Sequence, residues 1–334
     1  MRRRGLALLV AGTTFAFSAS ARAADNQSTL QPHSHAARDI ANLWWALLIG
    51  SAIVVFVVTL LVVLAALRAL SRQREPAQDD RTRVKALVLA GGFVVPILVL
   101  ATLLALTLRT LPATSAPRGH TDLTVDVTGR QWFWDVRYPG SGVKTANEIH
   151  IPVGVPVKLE AQTADVVHSF WVPELNRKID MIPGRTTSIL LRADRAGTYR
   201  GQCAEFCGLQ HANMAFLVVA QPRDRFRRWL ARESKPAPTP ATAEERRGLE
   251  TFLSVGCSGC HAIEGTPADA TVGPDLTHLV GRSTLAAATI PNTKGYLGGW
   301  ILDPQHIKPG NKMPGLQLNG PQLEAILDYL ETLK

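Results

Sequence analysis

Two of the four cysteines, one of the nine histidines and one of the four methionines fall in one short stretch, Cys203-Ala204-Glu205-Phe206-Cys207-Gly208-Leu209-Gln210-His211-Ala212-Asn213-Met214. Two thiolates, an imidazole and a thioether make a soft donor set that favours copper over zinc, calcium or magnesium. A single-copper electron-transfer site takes one cysteine, two histidines and a weak axial methionine. Here the cysteines stand at i and i+4, so both thiolates can bridge a pair of coppers, each needing one histidine. His211 is in the stretch, and His168, in Asp165-Val166-Val167-His168-Ser169-Phe170-Trp171, is the candidate for the other. The ordinary reading of two close cysteine pairs in an exported chain is two disulfides. Histidine and methionine at ligand-like spacing beside each pair weigh against it.

The second pair is Cys257-Ser258-Gly259-Cys260-His261, and C-x-x-C-H is the attachment sequence for c-type haem. The thiols of Cys257 and Cys260 form thioethers to the porphyrin, and His261 becomes the proximal iron ligand. The sixth ligand of an electron-transfer haem is often methionine, which raises the potential. Met313, in Asn311-Lys312-Met313-Pro314-Gly315, is the methionine of this region, with His278 and His306 as rivals.

These groups need elements to place them. Residues 1–23 read as a signal peptide: Arg2 to Arg4, an apolar core and Ala21-Arg22-Ala23. Residues 24–110 read as a transmembrane hairpin, with charge-free spans at about 42–67 and 86–108, each longer than the ~20 residues that cross a bilayer. His33 and His35, before the first span, read as solvated. The loop between the spans carries Arg68, Arg72, Arg74, Arg81, Arg83 and Lys85 against Glu75, Asp79 and Asp80, which places it in the cytoplasm. Both cysteine pairs then lie on the periplasmic side. Over 120–222 the period changes to alternation, at Leu123/Val125/Val127, Trp132/Trp134/Val136/Tyr138, Ile149/Ile151 and Val155/Val157/Leu159, as in an all-β Greek-key barrel or sandwich. A charged helical segment, Arg223–Arg232, follows. Residues 233–242 form a Pro-rich, semi-rigid linker. Residues 243–334 read as a small all-α domain, opening on a helix capped by Thr242 and Glu245 and closing on an amphipathic helix over Pro321–Leu333.

The formal charge of +9 is uneven: residues 109–242 carry 18 Lys and Arg against 12 Asp and Glu, a net +6, and residues 243–334 carry 7 against 10, a net −3. No concentrated basic stripe or nucleic-acid-binding module is present, which excludes nucleic acid as a partner. No nucleotide-binding or hydrolase motif is present either. His120 and His150 have no partner pattern and read as surface or structural, and Met181 as a packing residue.

The segments HSFWVPEL, KIDMIPGR, GQCAEFCGLQHANM and GRQWFW, with the two spans before them, resemble subunit II of haem–copper cytochrome c oxidases. CxxCH, GPDL (Gly273–Leu276) and KMPG (Lys312–Gly315) in that order resemble class I cytochromes c. The resemblance implies a dinuclear CuA centre in a cupredoxin-like fold. Cys203 and Cys207 would bridge, His168 and axial Met214 would complete one copper, and His211 and the Glu205 main-chain carbonyl the other. It also implies that the Glu205 carboxylate binds magnesium at the interface with subunit I, and that Trp132 is the aromatic through which electrons enter. Implied partners are oxidase subunits I and III and a donor such as a cytochrome c or a quinol–cytochrome c reductase, in a bacterial inner membrane. The expected function is to pass electrons from that donor through haem c and CuA to subunit I, where oxygen is reduced and protons are moved. A nitric oxide reductase subunit and a stand-alone membrane-anchored carrier are the alternatives.

Two departures from the family stand out. No glutamate opens the second span, where Arg83-Val84-Lys85 stands instead. The net charges also suggest an acidic haem domain docking on a basic copper domain, the reverse of the usual polarity, with tethering supplying an effective concentration on the order of millimolar.

Overall fold

A computed structural model of the chain describes residues 27–71, 81–115, 121 and 123–334. The signal peptide, the middle of the arginine-bearing loop (72–80) and His120 lie outside the described residues.

The first apolar run is a single helix, α1 (His35–Ser71). The second begins as α2 (Arg81–Leu89), passes through one wide π-type turn over Ala90–Val94 and continues as α3 (Val95–Thr114). Pro96 has no N–H for the carbonyl of Gly92, so the hydrogen-bond ladder must rearrange there, and the wide turn is where it does. Both helices are long and apolar enough to cross a membrane. Their exposed Val, Leu, Ile and Phe side chains suit hydrocarbon, where a helix satisfies its own backbone. The outer ends of the two meet one corner of the next domain. The His33 N–H donates to the Glu174 carbonyl at 2.9 Å, the His33 ring lies 3.2 Å from the Glu174 carboxylate, and Arg38 pairs with Asp194 at 2.7 Å. Arg177 Nε donates to the Thr114 carbonyl at 3.0 Å. His33 is therefore a half-buried clip resting on Tyr199 rather than a solvated residue. His35 stays exposed and pairs with Asp39.

The alternating region forms ten strands: β1 (Thr124–Arg130), β2 (Phe133–Tyr138), β3 (Val143–Ala146), β4 (Glu148–Pro152), β5 (Val157–Thr163), β6 (His168–Trp171), β7 (Ile179–Met181), β8 (Thr187–Leu191), β9 (Gly197–Cys203) and β10 (Ala215–Gln221). They pair as two five-stranded sheets, ordered β3-β2-β1-β5-β8 and β4-β10-β9-β6-β7. Val125, Val127, Trp134, Val136 and Tyr138 fill the space between the sheets, as their alternation requires. Trp132 does not continue that row. It lies in the turn before β2, half-buried, while Trp134 two residues on is fully enclosed. Met181, opposite His168 in the β6–β7 pair, is core.

β4 is an edge strand, yet every residue in it is buried. One cover is α4 (Arg223–Glu233), whose Trp229 stacks on His150 at 4.1 Å. The other is the haem-motif domain, with α5 (Ala243–Ser254), α6 (Lys294–Leu302), α7 (Pro304–Ile307) and α8 (Gly320–Leu330). Asn319 and Gln322 cap α8 as Thr242 and Glu245 cap α5. The Pro-rich segment does not hang free: the Ala237 N–H donates to Glu264 O at 2.9 Å, and the His278 ring takes the Lys235 carbonyl at 2.9 Å.

In the α5 capping box Thr242 Oγ1 accepts from the Glu245 N–H at 3.1 Å, and the Glu245 carboxylate accepts from the Thr242 N–H at 3.2 Å. Thr242→Ala is expected to cost the haem-motif domain about 0.5–2 kcal/mol, read as an earlier midpoint in urea unfolding followed by ellipticity.

Candidate copper and haem sites

Strand pairing builds the copper-type cluster. The Cys203 N–H donates to Met214 O at 2.9 Å, and the next amide, Ala204, donates to Ser169 O at 3.0 Å. The loop from Cys203 to Met214 is thus pinned at both ends and held beside His168 at the start of β6. The sulfurs of Cys203 and Cys207 lie 3.8 Å apart, far beyond disulfide length, and both cysteines are free and buried. His168 Nδ1 lies 3.7 Å from Cys203 Sγ, His211 Nδ1 lies 3.7 Å from Cys207 Sγ, and Met214 Sδ lies 3.8 Å from Cys207 Sγ. The Glu205 carbonyl is 3.1 Å from Cys203 Sγ. All six expected residues are therefore brought together around the two sulfurs, His168 and the Glu205 carbonyl at Cys203, His211 and Met214 at Cys207. The Cys207 thiol and His168 hold Cys203 well below the usual thiol range, and the same proximity pushes Cys207 up. Two adjacent thiol sulfurs with two imidazoles and a thioether against them are a donor set that fits a soft metal.

Asp165, which the sequence reading quotes beside His168 and does not use, orients it. Its Oδ1 lies 2.8 Å from His168 Nε2, and its Oδ2 accepts from the Gln131 N–H at 2.7 Å. Burial opposes the carboxylate's charge; the Gln131 amide, His168 and the Val166 amide outweigh it and hold the pKa below the ordinary value. Burial likewise opposes charge on His168, but Cys203 and Asp165 raise its pKa. A carboxylate on the outer nitrogen fixes the tautomer of a ligating histidine. The Glu205 side chain is 44% exposed, with Lys178 at 3.9 Å.

The haem-type residues line a cavity of about 480 Å³ that includes Cys257, Cys260, His261 and Met313. His261 Nδ1 donates to Pro274 O at 2.8 Å, which leaves Nε2 as the free lone pair. Burial depresses its pKa and keeps the ring neutral. A Cβ on Gly273 would stand 2.7 Å from the His261 ring, so only glycine lets the backbone cradle it. Gln305 donates to the Met313 carbonyl at 2.9 Å, fixing the methionine loop. His278 is not available as a ligand, because both its ring nitrogens face main-chain carbonyls, of Lys235 and Lys334. His306 is exposed and outside the cavity.

The cavity has a second wall that the sequence reading did not foresee. Arg130, Trp132 and Asp165 of the β domain line it too. Arg130 Nε is buried there without a hydrogen-bond partner, a donor suited to an acidic group of a porphyrin. Trp132 Nε1 donates to the Cys207 carbonyl at 3.0 Å, and Gln131 Nε2 to the same oxygen at 2.8 Å. A Cβ on Gly208 would come within 3.0 Å of the Trp132 ring, so the cysteine loop admits the indole because it has none. Trp132 thus touches both sites. The two ligand-bearing loops also meet directly, with Gln210 Nε2 on Pro309 O at 2.6 Å.

Across this contact the charges run opposite to the domain totals. Lys312 of the haem-motif domain faces Asp165 at 3.9 Å, and Arg282 donates to Thr145 at 3.3 Å. In return Glu148 of the β domain accepts from the Ser283 N–H at 2.7 Å, the Ser283 hydroxyl at 2.6 Å and the Thr284 N–H at 3.2 Å. In these contacts the acidic domain supplies the cations and the basic domain the carboxylates, with Arg200 of the β domain on the Ala288 carbonyl at 3.2 Å as a contact of the other sense, so the domain totals do not set the polarity of the interface.

Two helices long and apolar enough to cross a membrane, a two-sheet β domain with a soft-ligand loop and a helical domain with a haem-attachment motif define the class: a chain with the parts of a membrane-anchored copper and haem protein. Residues 141–221 match the family model described as "Cytochrome C oxidase subunit II, periplasmic domain", and residues 245–334 the model described as "Cytochrome c". Proteins named cytochrome c oxidase subunit 2 are similar to this chain. The one from Alkalihalophilus pseudofirmus is 38% identical over 65% of this chain and 63% of its own length, and one from a Bacillus species is 32% identical over 65% and 64%. A probable cytochrome c oxidase subunit 2 of Rickettsia bellii is 30% identical over 57% of this chain and 77% of its own. The chain belongs to the cytochrome c oxidase subunit 2 family. It spans less than two thirds of the length of the first two relatives. Membership implies copper in the β domain, and the second match implies haem.

Asp165→Asn keeps the shape beside His168 and removes the charge. Copper affinity, measured by chelator competition on the full chain, is expected to fall about 10- to 100-fold.

Proposed function

We propose that this chain is the subunit through which electrons enter a respiratory terminal oxidase, taking them from an external donor by way of covalent haem c and a dinuclear CuA centre to subunit I, where oxygen is reduced. The observation that carries this reading is Trp132, whose indole hydrogen-bonds the Cys207 carbonyl while lining the cavity of Cys257, Cys260, His261 and Met313. When bound, the copper pair and the haem iron each take up and release one electron. The chain's own residues do the rest.

Cys203, Cys207, His168, His211, Met214 and the Glu205 carbonyl would hold the copper pair. Asp165 holds His168 in one orientation, and the strand pairing at Cys203 and Met214 keeps the loop from relaxing when the charge changes. Cys257 and Cys260 would attach the porphyrin, and His261 and Met313 would ligate its iron. Pro274 sets the His261 tautomer and Gln305 the Met313 loop. The Glu205 carboxylate, half-exposed beside Lys178, would be the hard oxygen donor for magnesium at the subunit I interface. Residues 1–23 are the export signal, and α1 with α2–α3 makes a two-pass anchor with the β and haem domains in the periplasm. Subunits I and III are the membrane partners.

Paramagnetic resonance on the purified full chain is expected to give one unpaired electron shared over two equivalent coppers, lost altogether in Cys207→Ser. A single-copper spectrum, or a Cys203–Cys207 disulfide with no copper, overturns the assignment. Trp132→Leu is expected to slow copper reduction by the reduced haem while copper and haem content, measured by metal analysis and the haem absorbance, stay at the level of the parent chain. Co-purification with a large polytopic subunit and oxygen uptake on addition of reduced cytochrome c test the oxidase itself.

A further inference from the structure

Lys308 opens the loop that carries Met313, and its side chain is among the largest that are fully buried. Its Nζ donates to three main-chain carbonyls: Asn213 at 2.9 Å, Ala286 at 3.1 Å and Trp132 at 3.2 Å. An ammonium has three N–H donors, and here each has an acceptor. Burial, partly offset by the nearby Cys207, pushes the amine down to about 7; the three converging carbonyls give each of the amine's donors a partner. Two of the acceptors belong to the β domain, and both are strategic. Asn213 directly precedes Met214, and Trp132 is the residue bonded to the Cys207 carbonyl.

The third acceptor adds a second, independent sign of a purposeful contact. Ala286, Ala287 and Ala288 all stand in the left-handed region, with φ of 53°, 58° and 57°. A side-chain-bearing residue pays for that conformation, and three in succession persist only where the surroundings impose them. Here their carbonyls accept in turn from Lys308, from the Ala215 N–H at 3.2 Å and from Arg200 at 3.2 Å. The strained turn is held by the β domain and by Lys308 together.

We propose that Lys308 is a positioning residue, an interdomain latch that clamps the haem-ligand loop Lys308–Met313 onto the copper-ligand loop Cys207–Met214 and so fixes the separation of the two redox centres. The latch rests on reading both loops as ligand loops. It replaces a tethered domain that docks and releases with one that stays docked, and electrons then cross without a diffusive step.

The test is hydrogen exchange by mass spectrometry on the full chain in detergent, comparing it with Lys308→Met, which keeps the length and removes the donors. The amides of Ala215, Ser283 and Thr284 donate across the interface and report its opening directly. They are expected to exchange about 10- to 100-fold faster in the variant, the cost of leaving buried acceptors of a charged donor unpaired. Amides inside each domain, such as Cys203 and Leu276, should not change. After flash reduction of the haem, electron arrival at copper should be independent of viscosity in the parent chain, and slower and viscosity-dependent in Lys308→Met. Unchanged interface exchange in Lys308→Met overturns the latch. Should interior amides also lose protection, Lys308→Gln, which keeps two N–H donors, is the second variant: partial opening supports the latch and full protection overturns it. A parent chain without the two-copper resonance overturns the ligand reading instead, and the exchange experiment still judges the latch.

Discussion

Two thiol sulfurs 3.8 Å apart in a buried loop cannot both be anions without cations between them. That constraint organises the β domain. Mutual repulsion would drive the sulfurs apart if the chain could move, so the chain is fixed where it matters. The Cys203 amide is spent on Met214, the next amide on Ser169, and the carbonyl of Cys207 is held by two side chains of the turn before β2. The same bonds bring His168 and Met214 within reach of the sulfurs. A site held this firmly changes its oxidation state with little movement of its ligands, the requirement for rapid one-electron chemistry.

The haem-motif domain extends the same economy of motion. Its cavity is closed partly by Arg130, Trp132 and Asp165, which belong to the other domain. Asp165 does double duty, orienting His168 on one side and facing Lys312 on the other. The two sites therefore share residues as well as proximity. Net charge is a poor guide to such a contact. The totals describe whole domains, whereas the interface uses a handful of groups, Glu148 and Arg282 buried among them, whose signs are set by their immediate partners.

The parts legible in the sequence were those whose chemistry is local or strictly spaced. Cysteines at i and i+4 with a histidine and a methionine downstream, the C-x-x-C-H run, the charge-free spans and the Thr242/Glu245 box all rest on separations of a few residues. His168 was reachable because its surrounding segment resembles a known family, not because spacing pointed to it. What stayed hidden depends on three-dimensional pairing. Trp132 and Trp134 share one alternation, and only the turn before β2 separates a partly exposed indole from a core one. Lys308 looks like any loop lysine until three distant carbonyls surround it. His33 looked solvated because its partner, Glu174, is far along the chain.

His278 holds the carbonyl of Lys235, where the chain enters the haem-motif domain, and that of Lys334, its last residue, on opposite nitrogens of one ring. Entrance and exit are thereby tied side by side, so the domain closes on itself like a clasped loop. Those two segments of the domain therefore cannot part without losing a bond to that one ring. The joint also explains why prolines suit the entrance: they limit the directions in which the domain can swing before its interface is made.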